Sequence, residues 1–370
     1  MTTVNTLQVK PVFKLDQPDD THKFQPLPRP SGLYPYHLSI DDVLPGLDNK
    51  KMVFHLLGDT GSVRHPETIE VVATAMAQQY NDVNTNERPQ FLYHLGDIVY
   101  NHGEAERYEQ QFFLPYKNYP APIFAIAGNH DSDINPANPI SYHSLDAFTK
   151  VFCDTVSHPV NFGGATSRMS MTQPNIYWTL KTPLMNIIGL HSNVPKFGII
   201  TDEQRKWFIK ELTTHNQERP NKALMVCLHH SPYSADVNHG ASIPMIEFLE
   251  GVFEETGIKP DMVLSGHVHC YQRFHKLYAD NTVIPYIVAG AGGFDELHAV
   301  VQPGDERFTT ENPLFDNVQL VNYCDSTHGF LKLAVEKNAS GLTLTGKYYA
   351  ISGKEQPVQL TLADEFTVNI

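Results

Sequence analysis

Cysteine is scarce in this chain of 370 residues, and its four copies lie far apart. Cys153, Cys227, Cys270 and Cys324 form no C-x-x-C pair, which argues against a thiol-rich zinc site or a disulfide framework. Cys227 lies in a strand-like run and reads as a small buried hydrophobe. Basic residues are also short: 27 Lys and Arg stand against 41 Asp and Glu, a net charge of -14. A duplex-binding surface needs Lys and Arg against phosphates, so a nucleic acid duplex is not the expected partner. A small anionic substrate stays open, because bound ions dominate a local field. No apolar run is long enough to span a membrane. The amino terminus lacks the apolar core of a signal peptide, so the chain as written reads as cytoplasmic. A secreted or periplasmic chain trimmed of its leader would read the same way. No internal repeat is evident, and Asn338-Ala339-Ser340 is a glycosylation sequon of the kind that arises by chance.

Apolar residues make up 41% and charged residues 18%, as in ordinary globular domains. The 19 His are many and suit metal chemistry. Residues 1–50 carry Pro11, Pro18, Pro26, Pro28, Pro30, Pro35 and Pro45 without helical or strand period. They read as an irregular arm over a main domain that occupies 51–370. In that domain strand and helix signals alternate. Pro66 opens a helix over 67–80, with Ile69, Val72, Ala73, Met76 and Tyr80 on one face. Thr201 and Gln204 match a capping box, and a helix opened by Pro244 ends at Gly257. Residues 131–176, rich in Pro, Asn, Ser and His with a short helix over 145–152, read as an insertion over the active site. Strands are expected over 331–336, 342–350 and 366–370.

Five blocks carry the chemistry: Gly58-Asp59-Thr60-Gly61, Gly96-Asp97-Ile98-Val99-Tyr100, Gly128-Asn129-His130-Asp131, His229-His230-Ser231-Pro232 and Gly266-His267-Val268-His269. Each follows an apolar run (52–57, 91–95, 123–127, 223–228 and 262–265), which reads as a buried strand of an α/β sheet. Ligands collect at the carboxyl ends of such strands, so the blocks can converge in space. Phosphate esters resist attack because the phosphoryl group is anionic. Two cations about 3.5–4 Å apart acidify a water and neutralise the attacking and leaving oxygens. Such a pair needs an anionic bridge, terminal ligands and a proton donor. Asp97 is the natural bridge, and His130, directly after Asn129, is placed to give the proton. No Ser or Cys among the blocks stands in a recognisable nucleophile motif.

The blocks resemble those of the calcineurin-like metallophosphoesterases, and within them the purple acid phosphatases. Most of that superfamily opens with Asp-x-His. Asp59-Thr60-Gly61 has the Asp-x-Gly form of the purple acid phosphatases, which take the missing ligand from a Tyr three residues after the bridging Asp, where Tyr100 stands. The stretch from Pro260 to Arg273 extends the match, and the resemblance covers most of the chain after the arm. It implies an α/β fold, a β-sandwich of two mixed sheets flanked by helices in four layers, α/β/β/α. It implies two metal ions: Fe(III) held by Asp59, Asp97, Tyr100 and His269, and a divalent Fe, Zn or Mn ion held by Asp97, Asn129, His230 and His267. His230 is chosen over His229 by its register to Pro232. His239, with Asn238 before it, falls where plant-type members carry a substrate-facing His. The implied reaction is hydrolysis of a small phosphate monoester by a metal-bound hydroxide, with His130 and His239 as catalytic side chains. A phosphodiesterase of the same superfamily is the alternative, and Gly61 argues against it because that branch carries His there. A scaffold that has lost its ions would show replaced ligands, and none of the seven is replaced.

Each residue has a plainer reading alone. Asp59 would cap a turn, Asn129 would take a left-handed turn position, and Tyr100 would be a half-buried aromatic. His267 and His269 would be weak evidence by themselves. The ordered set of five outweighs these readings. His55, His94 and His191, in or at the end of apolar runs, read as structural, and His65, His102 and His143 as loop residues.

Overall fold

The computed structural model describes residues 9–82 and 85–370. Its core is a sandwich of two mixed sheets. The first runs β13 (Val318–Cys324), β10 (Tyr271–Leu277), β11 (Val283–Ala289), β9 (Met262–Ser265), β8 (Ala223–Leu228), β7 (Met185–Gly189), β6 (Trp178–Lys181), β2 (His37–Ser39). The second runs β16 (Gln359–Asn369), β15 (Gly341–Gly353), β14 (Gly329–Asn338), β3 (Lys51–Leu57), β4 (Leu92–His94), β5 (Ile123–Ala125). Strands β3, β4 and β5 are parallel to one another, as are β7, β8, β9 and β11.

Burial explains which strands read as continuous apolar runs. Every residue of β8 is buried, and so is every residue of β3 after Lys51, because both faces of these strands are covered. Strand β15 instead alternates buried and half-buried residues along most of its length, one face toward the core. The sheets meet through large rings. Trp178 lies 6.0 Å from Tyr93 and 5.9 Å from Phe124, centroid to centroid, and Tyr271 stacks on Tyr348 at 4.0 Å. Arg273 of β10 also pairs with Asp364 of β16 at 2.7 Å.

Helices flank the sheets. Helix α1 (Glu67–Asp82) meets β3 through Gln79, 3.2 Å from His55 Nε2. Short turns α2 (Ala105–Tyr108) and α3 (Asn129–Ser132) and helix α4 (Asp146–Phe152) follow. Helices α5 (Asp202–Asn216) and α6 (Ile243–Thr256) pack on each other through Phe208 and Phe248. Gly257 ends α6 in the left-handed region, φ 66°, as a C-cap does. The expected capping box on α5 forms only by half. Thr201 accepts the N–H of Gln204, but the Gln204 amide turns away to clamp both backbone groups of His191 at 2.8 Å.

The Pro-rich segment is more regular than its sequence suggests. β1 (Phe13–Lys14) pairs with β12 (Phe308–Thr309), and β2 is the edge strand of the eight-stranded sheet, parallel to β6. Further ties run from Gln25 N–H to Asn193 Oδ1 and from Trp207 Nε1–H to the Pro35 carbonyl. Proline removes donors, so pairing occurs in stretches too short to show a period. Among the described residues no helix is long and apolar enough to cross a membrane.

Candidate metal centre

The five blocks do converge. Asp59 and Asp97 turn away from β3 and β4 with φ of 58° and 54°, and His267 leaves β9 with φ of 68°. This left-handed region is costly for side chains other than Gly, on the order of 1–3 kcal/mol each, and such positions cluster at functional sites. Cross-block hydrogen bonds hold them. Asp59 N–H donates to Gly96 O at 2.9 Å, Thr60 N–H to Asp97 O at 3.0 Å, and His267 N–H to the Asp59 carboxylate at 2.8 Å. The buried carboxylate of Asp131 accepts N–H groups from Ile98, Val99 and Gly128 and so staples the second block to the third.

Two groups of donor atoms share one oxygen. In the first, Tyr100 OH lies 2.7 Å from Asp97 Oδ2, 3.3 Å from Asp59 Oδ1 and 3.2 Å from His269 Nε2. In the second, His229 Nε2 lies 3.4 Å from the same Asp97 Oδ2 and 3.0 Å from Asn129 Oδ1, and Asn129 Oδ1 is 3.0 Å from His267 Nδ1. The other Asp97 oxygen accepts the His130 N–H at 2.9 Å. The imidazoles are oriented from behind. His229 Nδ1–H donates to Leu95 O at 2.9 Å and His269 Nδ1–H to Glu296 O at 3.2 Å. In the neutral rings this turns the Nε2 lone pairs inward, toward the Asp97, Asn129 and Tyr100 oxygens, as ligands of a shared ion would be turned.

Gly61 explains the missing His of the first block. A Cβ there would come within 2.5 Å of Gln111 Oε1 and 2.8 Å of a Tyr100 ring carbon. Tyr100 occupies the space that a side chain at position 61 would need.

Taken as protein groups alone, the cluster is electrostatically strained. Burial, with Asp97 nearby, drives the Asp59 carboxyl well above the usual carboxylate range. Burial opposes ionisation of Asp97 too, but His229 and His130 outweigh it and hold that carboxyl down. His229 is pushed up to about 9, because Asp97 and Asp59 outweigh its own burial. Burial and the two carboxylates raise the Tyr100 phenol well above its ordinary value.

The expected residues Asp59, Asp97, Tyr100, Asn129, His267 and His269 all meet here. His230 stands differently. Its Nδ1 pairs with Ser192 Oγ at 2.7 Å, its ring lies 4.3 Å from that of His267, and its Nε2 has no partner among the described residues. The structure brings His229, not His230, against Asn129 and Asp97. Neighbouring residues at a strand end project to opposite sides, so a shift of one in register exchanges them. His130 lies over the Tyr100 ring at 4.3 Å and gives Nδ1–H to Asn101 O. His239 lies 4.2 Å from the His267 ring, on a loop whose N–H groups at 238, 239 and 240 converge on the Asp236 carboxylate.

The cleft over this cluster, 260 Å³, is lined by Asp97, Asn129, His130, His239, His267 and His269 together with Asp20, Lys23, Asp133, Val194 and Lys196. Of the 131–176 segment, Asp133 is the one residue among these; the arm supplies Asp20 and Lys23. A larger hollow of 470 Å³ between the arm and residues 301–310 contains none of the donor residues, so donor chemistry rather than size picks the site. Sequence reasoning also passes over His298, which stacks on His269 at 4.1 Å, and Phe294, 4.3 Å from both Tyr100 and His269. The run Gly290-Ala291-Gly292-Gly293 just before them was the available signal, since it lets the chain pass close behind Asp59.

The family model for calcineurin-like phosphoesterases matches residues 52–271, and the chain belongs to that family. It is 27% identical to Fe(3+)-Zn(2+) purple acid phosphatase 12 of Arabidopsis thaliana over 274 residues, 68% of this chain and 52% of that protein. It is 26% identical to an uncharacterized protein of Mycobacterium tuberculosis over 298 residues, 67% of this chain and 53% of the other. The chain thus spans about half the length of these curated relatives. Among solved structures it is similar to GAP50, the anchor in the inner membrane complex of Plasmodium (TM-score 0.56, 13% identity, 87% of this chain and 89% of that one). PhoD is also similar, with a TM-score of 0.54 and 13% identity over 88% of this chain and 70% of that one. These two likenesses concern the fold.

Proposed function

We propose that the chain is a dinuclear-metal phosphatase of the purple acid phosphatase type, acting on small phosphate monoesters. The observation that carries this reading is the single oxygen, Asp97 Oδ2, shared by two donor groups of different chemistry. Fe(III) suits the first group, Asp59, Asp97, Tyr100 and His269, because phenolate and carboxylate are hard anionic donors. Zn, Mn or Fe(II) suits the second, Asp97, Asn129, His229 and His267. His229 replaces His230 in this assignment, since its Nε2 lies 3.0 Å from Asn129 Oδ1 and 3.4 Å from Asp97 Oδ2. When bound, such ions acidify water and neutralise charge on the phosphoryl group.

The chain's own groups do the rest. With Nδ1 committed to Asn101, His130 keeps Nε2 to hold or give a proton at the leaving oxygen. Burial pulls His239 down to about 3, so it stays neutral and orients the ester by hydrogen bonding. Lys23 and Lys196 line the cleft and favour an anionic ester in an otherwise acidic protein. The alternative phosphodiesterase reading loses support from the Gly61 and Tyr100 exchange. The test is a panel of phosphate mono- and diesters on the iron- and zinc-loaded chain, with metal counted by atomic emission. Two equivalents and faster monoester hydrolysis are expected. A diester rate far above every monoester rate would select the alternative, and a chain that binds no metal would be a scaffold.

A further inference from the structure

Away from the cleft, the edge strand β2 and helix α5 bring together a second set of imidazoles and carboxylates. His37 Nε2 lies 2.8 Å from Glu211 Oε2, and His215 Nε2 lies 3.2 Å from the same oxygen. His215 and Glu211 sit one helical turn apart on α5, both with side chains 1% exposed. Thr179 Oγ1–H donates to Glu211 Oε2, and His215 Nδ1 faces Glu218 Oε1 at 3.0 Å. His37 is the solvent side of the cluster, 24% exposed.

His215 is the telling residue. With its Nδ1–H given to Glu218, the Nε2 of the neutral ring presents a lone pair to a carboxylate oxygen. Two acceptors at that distance need a cation between them, a proton or a metal ion. The spacing suits a metal. With Zn–N of about 2.0–2.1 Å, two imidazoles on one tetrahedral ion have ring centroids about 5.2 Å apart. The His37 and His215 centroids are 5.2 Å apart, and their nitrogens lie within 4.8 Å of each other and of the Glu211 oxygen. Ligand atoms on such an ion would stand about 3.3 Å apart, so the two His–Glu211 contacts need only sub-ångström opening. Glu218 behind His215 and Thr179 behind Glu211 are the outer partners that fix ligands in place. Burial would raise the Glu211 pKa, but its polar partners His215, His37 and Thr179 outweigh it and bring it to about 2, so the carboxylate is ionised.

We propose that His37, Glu211 and His215 form a mononuclear metal site for zinc or a similar divalent ion, with its fourth position open to solvent beside His37. The ion pins the strand contributed by the Pro-rich segment to α5 and does not depend on the phosphatase reading.

The test is equilibrium dialysis of the chelator-stripped full chain against zinc alone, with bound metal counted by atomic emission. His37→Gln and His215→Gln should each bind one equivalent fewer than wild type. Glu218→Gln should keep the count and weaken that one site about tenfold, since loss of an outer partner costs 10–100-fold. Circular dichroism in chelator checks that the variants are folded; half-buried His37 is the safer position if His215→Gln is not. Wild-type zinc counts in a folded His37→Gln would overturn the proposal and leave a proton as the cation of this cluster.

Discussion

The six-stranded sheet delivers Asp59, Asp97, Tyr100 and Asn129 to the cleft, whereas the eight-stranded sheet delivers His229, His267 and His269. The two halves are held in different ways. On the first sheet, carboxylates are fixed by N–H groups, and Asp59 and Asp97 keep left-handed backbone. On the second, His229 and His269 are aimed by carbonyls that take their Nδ1 protons. The carboxylates and the phenol thus come from one sheet and the imidazoles from the other, while each donor group draws on both sheets: His269 joins Asp59 and Tyr100, and Asn129 joins His229 and His267. Asp97 Oδ2 touches both groups, so on the proposed reading each group can be disabled alone and this one residue disables both.

Asp97→Ala is the largest expected effect. It should remove both ions and lower kcat/KM at least about a thousandfold, since metal stabilisation of the transition state is worth several kcal/mol. Stoichiometric metal and retained activity in this variant would break the two-halves picture outright. His229→Ala should lose the divalent ion alone and cut the rate by about a hundredfold or more, while His230→Ala costs about tenfold, as a residue acting behind a ligand does. The reverse order would restore His230 as the ligand. Tyr100→Phe acts on the other half. The iron-loaded protein should be purple or pink through tyrosinate-to-iron charge transfer, and this variant colourless with iron still bound. A colourless wild type carrying its full iron would contradict the assignment.

How much of this could be read beforehand follows from how local each feature is. The convergence of Asp59, Asp97, Asn129 and His267 was legible because strand, Gly turn and candidate donor are contiguous in sequence. Tyr100 was legible with Gly61, and the close approach of its ring to that glycine shows why the two go together here. The position of His229 against Asn129 and Asp97 was not legible, because which of two adjacent His faces them depends on which way the end of β8 projects, and a Pro register does not carry that. Lys23 and Asp20 were missed because they reach the cleft through an arm held by scattered backbone bonds rather than by a pattern. The Glu211 cluster was beyond reach, since His37 is 174 residues from its partner. The buried strands were readable from the runs 52–57 and 223–228, the sandwich they build came through the family resemblance, and β2 was too short to show.

The smallest expected effect concerns the arm. Lys23 and Lys196 are the cations that line the described cleft, and Lys196 is half-buried, its N–H held by the Asp20 carboxylate at 3.1 Å. Both lie outside the set of metal-ligand candidates, so on the proposed reading they would act on the anionic substrate and not on the ions. Lys23 pairs with Asp20 at 3.8 Å with its side chain 49% exposed, where solvent screens charge strongly. Exposed pairs of charges contribute about 0.2–1 kcal/mol, so Lys23→Ala should raise KM for a monoester only about two- to fivefold with kcat unchanged. Lys196→Ala, less exposed, should do so more. The increase should fade at high salt, because mobile ions replace what the lysines supply. If instead kcat falls and bound metal is lost, the arm is part of the metal centre, and the two sheets are not its sole source of ligands.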